Sequence, residues 1–212
     1  MAITVPAEDF WKGSIGFGWL TLPSNDIHLE TGVCGEWEMM SSAVGDMARF
    51  QRRVYFNCYF SQHPTVCVFL RNITALDNNT WAEIGVSAID ITKWCTTIEL
   101  TLTKGCAVDG IEVGWLAYDS AEVGYRVQCG QITTLNGEWS HGKIIFNSSF
   151  PKAPEIFFGF HKLAVPHREV HIEPAVSEIG EGCFKYWVNA GEWDDPKKGI
   201  AALTWVAIYA EK

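Results

Sequence analysis

Hydrophobic and polar positions alternate along this chain in short runs, and turn residues separate the runs. "RRVYFNCYF" (52–60), "TVCVFLRNI" (65–73), "WAEIGVSAIDI" (81–91), "TTIELTLT" (96–103) and "IEVGWLAY" (111–118) are rich in Val, Ile, Thr and aromatic residues. A second series follows: "KIIFNSSF" (143–150), "EIFFGFHKL" (155–163), "REVHIEPAV" (168–176), "CFKYWVNA" (183–190) and "ALTWVAIYA" (202–210). Several runs have period two, the signature of half-buried strands. Turn material such as "SQHP", "LDNN", "KGCAVDG", "FPKAP" and "WDDPKKG" lies between them. No window sustains a helical period. The pattern predicts an all-β chain built as a sandwich or barrel.

The two series are related. "FNCYFSQHPTV" begins at Phe56 and "FNSSFPKAPEI" at Phe146. A shift of 90 places Phe56, Phe60, Pro64 and Val66 on Phe146, Phe150, Pro154 and Ile156. The same shift places Trp94 on Phe184, and Gly114 to Tyr118 on Thr204 to Ile208. A set of anchors in register points to duplication, hence two β-sandwiches in tandem. The expected organisation is an N-terminal arm over residues 1–26, a first copy over 27–120 and a second over 121–212. Pro64 and Pro154 stand just before strands, where a missing N–H costs the ladder little.

The copies differ at their front ends. Gly-Glu-Trp occurs at 35–37 and 137–139, but Trp37 lies 19 residues ahead of Phe56 and Trp139 only 7 ahead of Phe146. The first copy thus carries about twelve extra residues around "MMSSAVGDMARF". Loops of this kind often carry binding function, and a neutral insertion explains the difference equally well. The arm, with Phe10, Trp11, Phe17 and Trp19, reads as a strand-like segment covering a sheet edge or reaching a neighbouring chain. It cannot be put in register with the two copies.

Composition narrows the function classes. Hydrophobic residues make up 48% of the chain, ample for a core, and ten Trp accompany twelve Phe. A net charge of −9 argues against non-specific nucleic-acid binding, which needs Lys and Arg on the phosphates. No apolar run reaches the ~18 residues of a membrane helix, so no membrane insertion is expected. The first residues lack a basic leader and an apolar signal core, so a cytoplasmic protein is expected, with release as an option. Seven Cys, at 34, 58, 67, 95, 106, 129 and 183, form no C-x-x-C. Reduced thiols are expected, with a disulfide as the alternative for an exported chain.

Catalytic signatures are missing: there is no G-x-S-x-G, H-E-x-x-H or P-loop. His167 and His171, four apart on a strand, would stand about 13 Å apart, too far for one metal. No enzyme is expected. The positive signal is Trp193, followed by Asp194 and Asp195 and twelve residues ahead of Trp205. An indole face beside planar hydrogen-bonding groups suits the C–H face and hydroxyls of a sugar. A Trp loop packed on the core is the alternative.

The second series, opening with "YRVQCGQI" (125–132) and running through "IIFNSSFPKAPEIFFGF", "REVHIEPAVS", "GCFKYWVNAGEW" and "ALTWVAIYA", resembles the H-type lectins, the family of snail agglutinins and the C-terminal discoidin domain. The first copy resembles the same pattern from Ile27 to Tyr118, with "TGV" in the opening strand. The resemblance implies two tandem six-stranded antiparallel β-sandwiches and assembly as a trimer or a stacked pair of trimers. It implies binding of galactose or N-acetylgalactosamine glycans near the subunit interface, with no cofactor, metal or catalysis. Carried over position by position, Arg168, Trp193 and Asp194 of the second copy match the family's Arg, Trp and following polar residue. Gly45 and Asp46 of the first copy match its Gly–Asp loop. The first copy has Thr103 at the Trp position, then Lys104, and its Arg position falls near Asn78 or Trp81. A composite site follows as an expectation, in which Asp46 accepts from two ring hydroxyls, Arg168 braces it and Trp193 covers the apolar face. The alternative is a structural assembly protein that kept the sandwich and lost the sugar.

Overall fold

The computed structural model describes residues 3–5, 14–16, 29–35, 37–39, 47–75, 82–103, 108–124, 126–135, 140–165, 170–189 and 200–209. The chain is all-β. Its strands are β1 (Ile3–Val5), β2 (Ser14–Gly16), β3 (Leu29–Cys34), β4 (Glu38–Met39), β5 (Met47–Tyr55), β6 (Thr65–Ala75), β7 (Ala82–Ile89), β8 (Cys95–Thr103) and β9 (Val108–Tyr118). After the one-turn helix α1 (Ser120–Val123) come β10 (Val127–Leu135), β11 (Ser140–Ile145), β12 (Glu155–Val165), β13 (Val170–Ser177), β14 (Cys183–Asn189) and β15 (Ile200–Ile208). Asp119 caps α1 by accepting from the Ala121 N–H at 3.1 Å.

All described pairings are antiparallel. The strands form three sheets, ordered β2-β6-β9-β3, β1-β13-β14-β11 and β10-β15-β12-β7-β8-β5-β4. In each half, an opening strand pairs with the last strand and the last with the third: β3-β9-β6 in the first, β10-β15-β12 in the second. The facing layers are β5-β8-β7 and β11-β14-β13. Alternate residues meet between layers. Phe60, Leu70, Ile98, Val113 and Trp115 are buried in the first half, and Phe150, Phe184, Val188, Leu203 and Trp205 in the second. Each core Trp lies across from a glycine: Trp115 pairs with Gly32 and Trp205 with Gly130. A Cβ on either glycine would run into the indole, which is why the opening strand tolerates no side chain there.

The halves are not separate bodies. β12 of the second pairs with β7 of the first, from Lys162↔Gly85 to Val165↔Ala82, so one seven-stranded sheet crosses both. Lys162 Nζ meets Glu83 Oε1 at 2.6 Å over this seam. A second apolar cluster joins Cys67, Leu116 and Tyr118 of the first half to Val127, Val206 and Ile208 of the second. Within it Cys67 and Cys129, with Cα atoms 6.8 Å apart, form a disulfide. This corrects the expectation of reduced thiols: facing strands β6 and β10 bring two sulfurs together that lie 62 residues apart in sequence. Cys34, Cys58, Cys95 and Cys183 are free.

Register refines the repeat. β6 and β12 correspond at a shift of 90, Thr65 and Glu155 pairing with Tyr118 and Ile208. The following turn does not keep that shift. Asp90 and Glu178 both have φ 49°, and the bonds Thr92 N–H to Cys95 O and Gly180 N–H to Cys183 O are equivalent, so here the shift is 88. Trp94 therefore corresponds to Gly182, and not to Phe184 as a constant shift requires. Strand limits change too. "FNCYF" and "FNSSF" lie beyond β5 and β11, because Phe56 and Phe60, like Phe146 and Phe150, both turn inward. Part of the extra length in the first half is strand: β5 has nine residues where β11 has six.

Candidate functional site

The repeated Phe-Asn phrase is a brace. After β5, the Phe56 N–H donates to the Trp94 carbonyl at 2.8 Å and the Phe60 N–H to the Lys93 carbonyl at 3.4 Å. The two rings meet edge to face with centroids 5.1 Å apart. Glu30, on β3, accepts from the Asn57 N–H at 2.8 Å, Asn57 Nδ2 at 2.7 Å and the Cys58 N–H at 3.3 Å. Burial first, then the hydrogen bond and charge of Glu30, push the Cys58 thiol up to about 11. In the second half, Phe146 and Phe150 donate to the carbonyls of Gly182 and Glu181 at 3.0 and 2.8 Å. Gln128 takes the place of Glu30, accepting from the Asn147 N–H at 2.8 Å and donating to the Ser148 carbonyl at 2.6 Å. A carboxylate can only accept, whereas the carboxamide does both, so the two braces differ in donors while holding one loop shape.

What the halves do not share stands on the rim of that brace. Tyr55, Tyr59 and Trp94 of the first half are 69, 55 and 62% exposed. Their equivalents are Ile145, Ser149 and Gly182. The Tyr59 and Trp94 rings lie 4.3 Å apart at 44°, a tilted aromatic platform. Lys93 Nζ sits 5.7 Å from the Tyr59 centroid and donates to the Ser61 carbonyl. The support is rigid: Thr92 Oγ1 accepts from the N–H groups of Trp94 and Cys95 at 3.2 and 3.0 Å. Ser61 Oγ donates to the buried Asp119 at 2.7 Å. Exposed indole and phenol faces beside an ammonium present both stacking and polar contacts to a flat, hydroxylated ligand. Sequence reading missed this platform because the shift of 90 placed Trp94 on Phe184, which the structure buries, and not on Gly182. Aromatic residues present in one copy and absent from the other were the available signal.

Gly45, Asp46, Arg168, Trp193 and Asp194 lie outside the described residues, as do Asn78, Trp81, Lys104 and Asp195. Thr103 is described, and it serves the ladder: its Oγ1 accepts from the Glu83 N–H at 2.9 Å. The platform lies where β5 ends and β8 begins, whereas Met47, which follows Asp46, lies at the opposite end of the same sheet, paired with Thr103.

The comparisons with known proteins fall on the half that carries the platform. Residues 51–118 match the family model of the H-type lectin domain. The match spans about a third of the chain, from within β5 to the end of β9. The matched H-type lectin segment includes the Phe56–Phe60 brace, Tyr55, Tyr59 and Trp94. No curated protein and no solved structure matches the chain. Among the described residues, no helix is long and apolar enough to cross a membrane.

Proposed function

We propose that the chain is a carbohydrate-binding lectin, non-enzymatic, in which residues 127–208 are a second H-type lectin unit that the family model does not reach. The observation that carries the reading is the H-type lectin match over β5 to β9. The second unit is supported by the equivalent Phe loops, the paired Gly–Trp contacts and the recurring φ 49° turn.

Galactose or N-acetylgalactosamine is the proposed ligand class, and the composite site of Asp46, Gly45, Arg168, Trp193 and Asp194 is the proposed primary site. Strand ends support it. The segment containing Gly45 and Asp46 leads into β5 at Met47, that containing Arg168 leaves β12 at Val165, and that containing Trp193 and Asp194 enters β15 at Ile200. These three strand ends stand at one end of the seven-stranded sheet, where Val165 pairs with Ala82, Met47 with Thr103 and Ala164 with Ile200. The platform of Tyr59 and Trp94 offers a second contact at the other end, for an extended glycan or a second one.

Calorimetric titration with both sugars, on wild type, Arg168→Ala and Trp94→Ala, tests the reading. Heat from wild type that vanishes in Arg168→Ala and survives in Trp94→Ala supports the composite site; the reverse pattern moves binding to the platform. No heat from the folded wild type with either sugar or with a glycan array sinks the lectin reading in favour of a scaffold.

A further inference from the structure

The two N-terminal strands sit on the outer edges of β13 and β6, and their registers reproduce the junction between the halves. At that junction β12 meets β7 through Lys162↔Gly85, Leu163↔Ile84 and Ala164↔Glu83. β6 is the equivalent of β12, and β2 pairs with it through Asn72↔Gly16, Ile73↔Ile15 and Thr74↔Ser14. Asn72, Ile73 and Thr74 are Lys162, Leu163 and Ala164 less 90. Ser14, Ile15 and Gly16 therefore stand against β6 where Glu83, Ile84 and Gly85 stand against β12.

The other edge gives the same answer. β13 is the equivalent of β7 at the shift of 88, and β1 pairs with it through Ile3↔Ile172, Thr4↔His171 and Val5↔Val170. Ile172, His171 and Val170 correspond to Ile84, Glu83 and Ala82, so Ile3, Thr4 and Val5 stand where Leu163, Ala164 and Val165 do. The residues agree with the placement. "ITVP" from Ile3 parallels "LAVP" from Leu163, and "SIGF" from Ser14 parallels "EIGV" from Glu83. The connection between β1 and β2 runs from 6 to 13, that between β6 and β7 from 76 to 81, and that between β12 and β13 from 166 to 169. The chain thus repeats one junction three times, a fourth strand meeting the next unit's third: β7 with β12, β13 with β1, and β2 with β6.

We infer that β1 and β2 form the third-to-fourth-strand edge of a third unit, and that this arm fills a three-unit ring from within the same chain. The edges it covers, along β6 and β13, are the ones a further copy of the chain would use to add on by the same pairing. The arm closes them. Three-chain assembly through these edges is then blocked by β1 and β2 of the same chain. Nothing in this depends on the sugar reading.

Light scattering after size exclusion, over a hundredfold range of concentration, tests the closure on the 212-residue chain and on a variant lacking residues 1–16. The full chain is expected to hold one mass, near 23.7 kDa. The shortened chain should self-associate, and a synthetic peptide of residues 1–20 should return it to single chains. A three-chain full-length species that the deletion leaves unchanged overturns the inference, as does a shortened chain that stays monomeric and equally stable. Should the shortened chain not fold, hydrogen exchange on the intact protein decides. Slow exchange within Ile3–Val5 and Ser14–Gly16, matching β7 at the junction, supports the ring, and exchange at free-peptide rates removes it.

Discussion

Gly159→Ala should weaken the seam between the halves. Gly159 lies on β12, and a Cβ built there would stand 2.7 Å from Cβ of Phe69 on β6 and 3.1 Å from its Cγ. Carbon atoms in ordinary contact stand about 3.5–4.0 Å apart, so the strands must part by roughly 1 Å or Phe69 must move. Phe69 has little room, because its ring lies over Gly114, its partner on β9. Overpacking of this kind costs about 1–3 kcal/mol. For a chain of this length each kcal/mol shifts Tm by about 2–4 °C, so a loss of about 2–12 °C is expected in thermal unfolding. Phe69→Gly removes the obstruction, Cβ included. In the double variant the losses should fall short of additivity by at least about 0.5 kcal/mol. A Gly159→Ala protein with unchanged Tm, or strictly additive losses, would refute this account of the seam.

Replacing both Cys67 and Cys129 by Ala should destabilise the chain by about 4 kcal/mol on the chain-entropy estimate for their separation of 62 residues, measured by denaturant unfolding. Stability should also fall on the acid side through His161. Burial, followed by the Lys162 charge, lowers the His161 pKa below its ordinary 6.5, so above pH 6.5 both folded and unfolded forms are neutral. Below pH 6.5 the unfolded chain takes up the proton first, and stability drops as pH falls towards the folded pKa. His161→Gln should flatten that part of a Tm-against-pH curve relative to wild type, and parallel curves would contradict the assignment.

Strand content and the recurring Phe and Trp anchors were readable because period-two patterning and paired aromatics are local signals. The Phe-Asn phrase was legible as a repeat but not as a brace, since its partner, Glu30 or Gln128, comes from a distant strand. The two-residue change between Trp94 and Gly182 was invisible for a related reason. The connections before β7 and after β8 absorb the length: β7 and β8 correspond to β13 and β14 at 88, while β6 and β9 correspond to β12 and β15 at 90, so the outer anchors still align. The arm could not be registered because each of its strands spans three residues, too few for a hydrophobic pattern. Its place is legible only from the pairing partners. The Cys67–Cys129 bond was hidden too, because spacing along the chain says nothing about which strands face one another.

The sheet that passes from β12 into β7 has a consequence for how the molecule must be made. Split between α1 and β10, each half would carry into solution a strand edge that had lost its partner: Ala82 to Gly85 of β7 on one side, Lys162 to Val165 of β12 on the other. An open strand edge pairs with whatever is at hand. Held by the connection from Tyr118 to Val127, the two edges meet at an effective concentration in the millimolar range, far above any unrelated strand they would encounter. The connection therefore acts as a chaperone by proximity, and lengthening it would dilute the right partner before it weakened the fold.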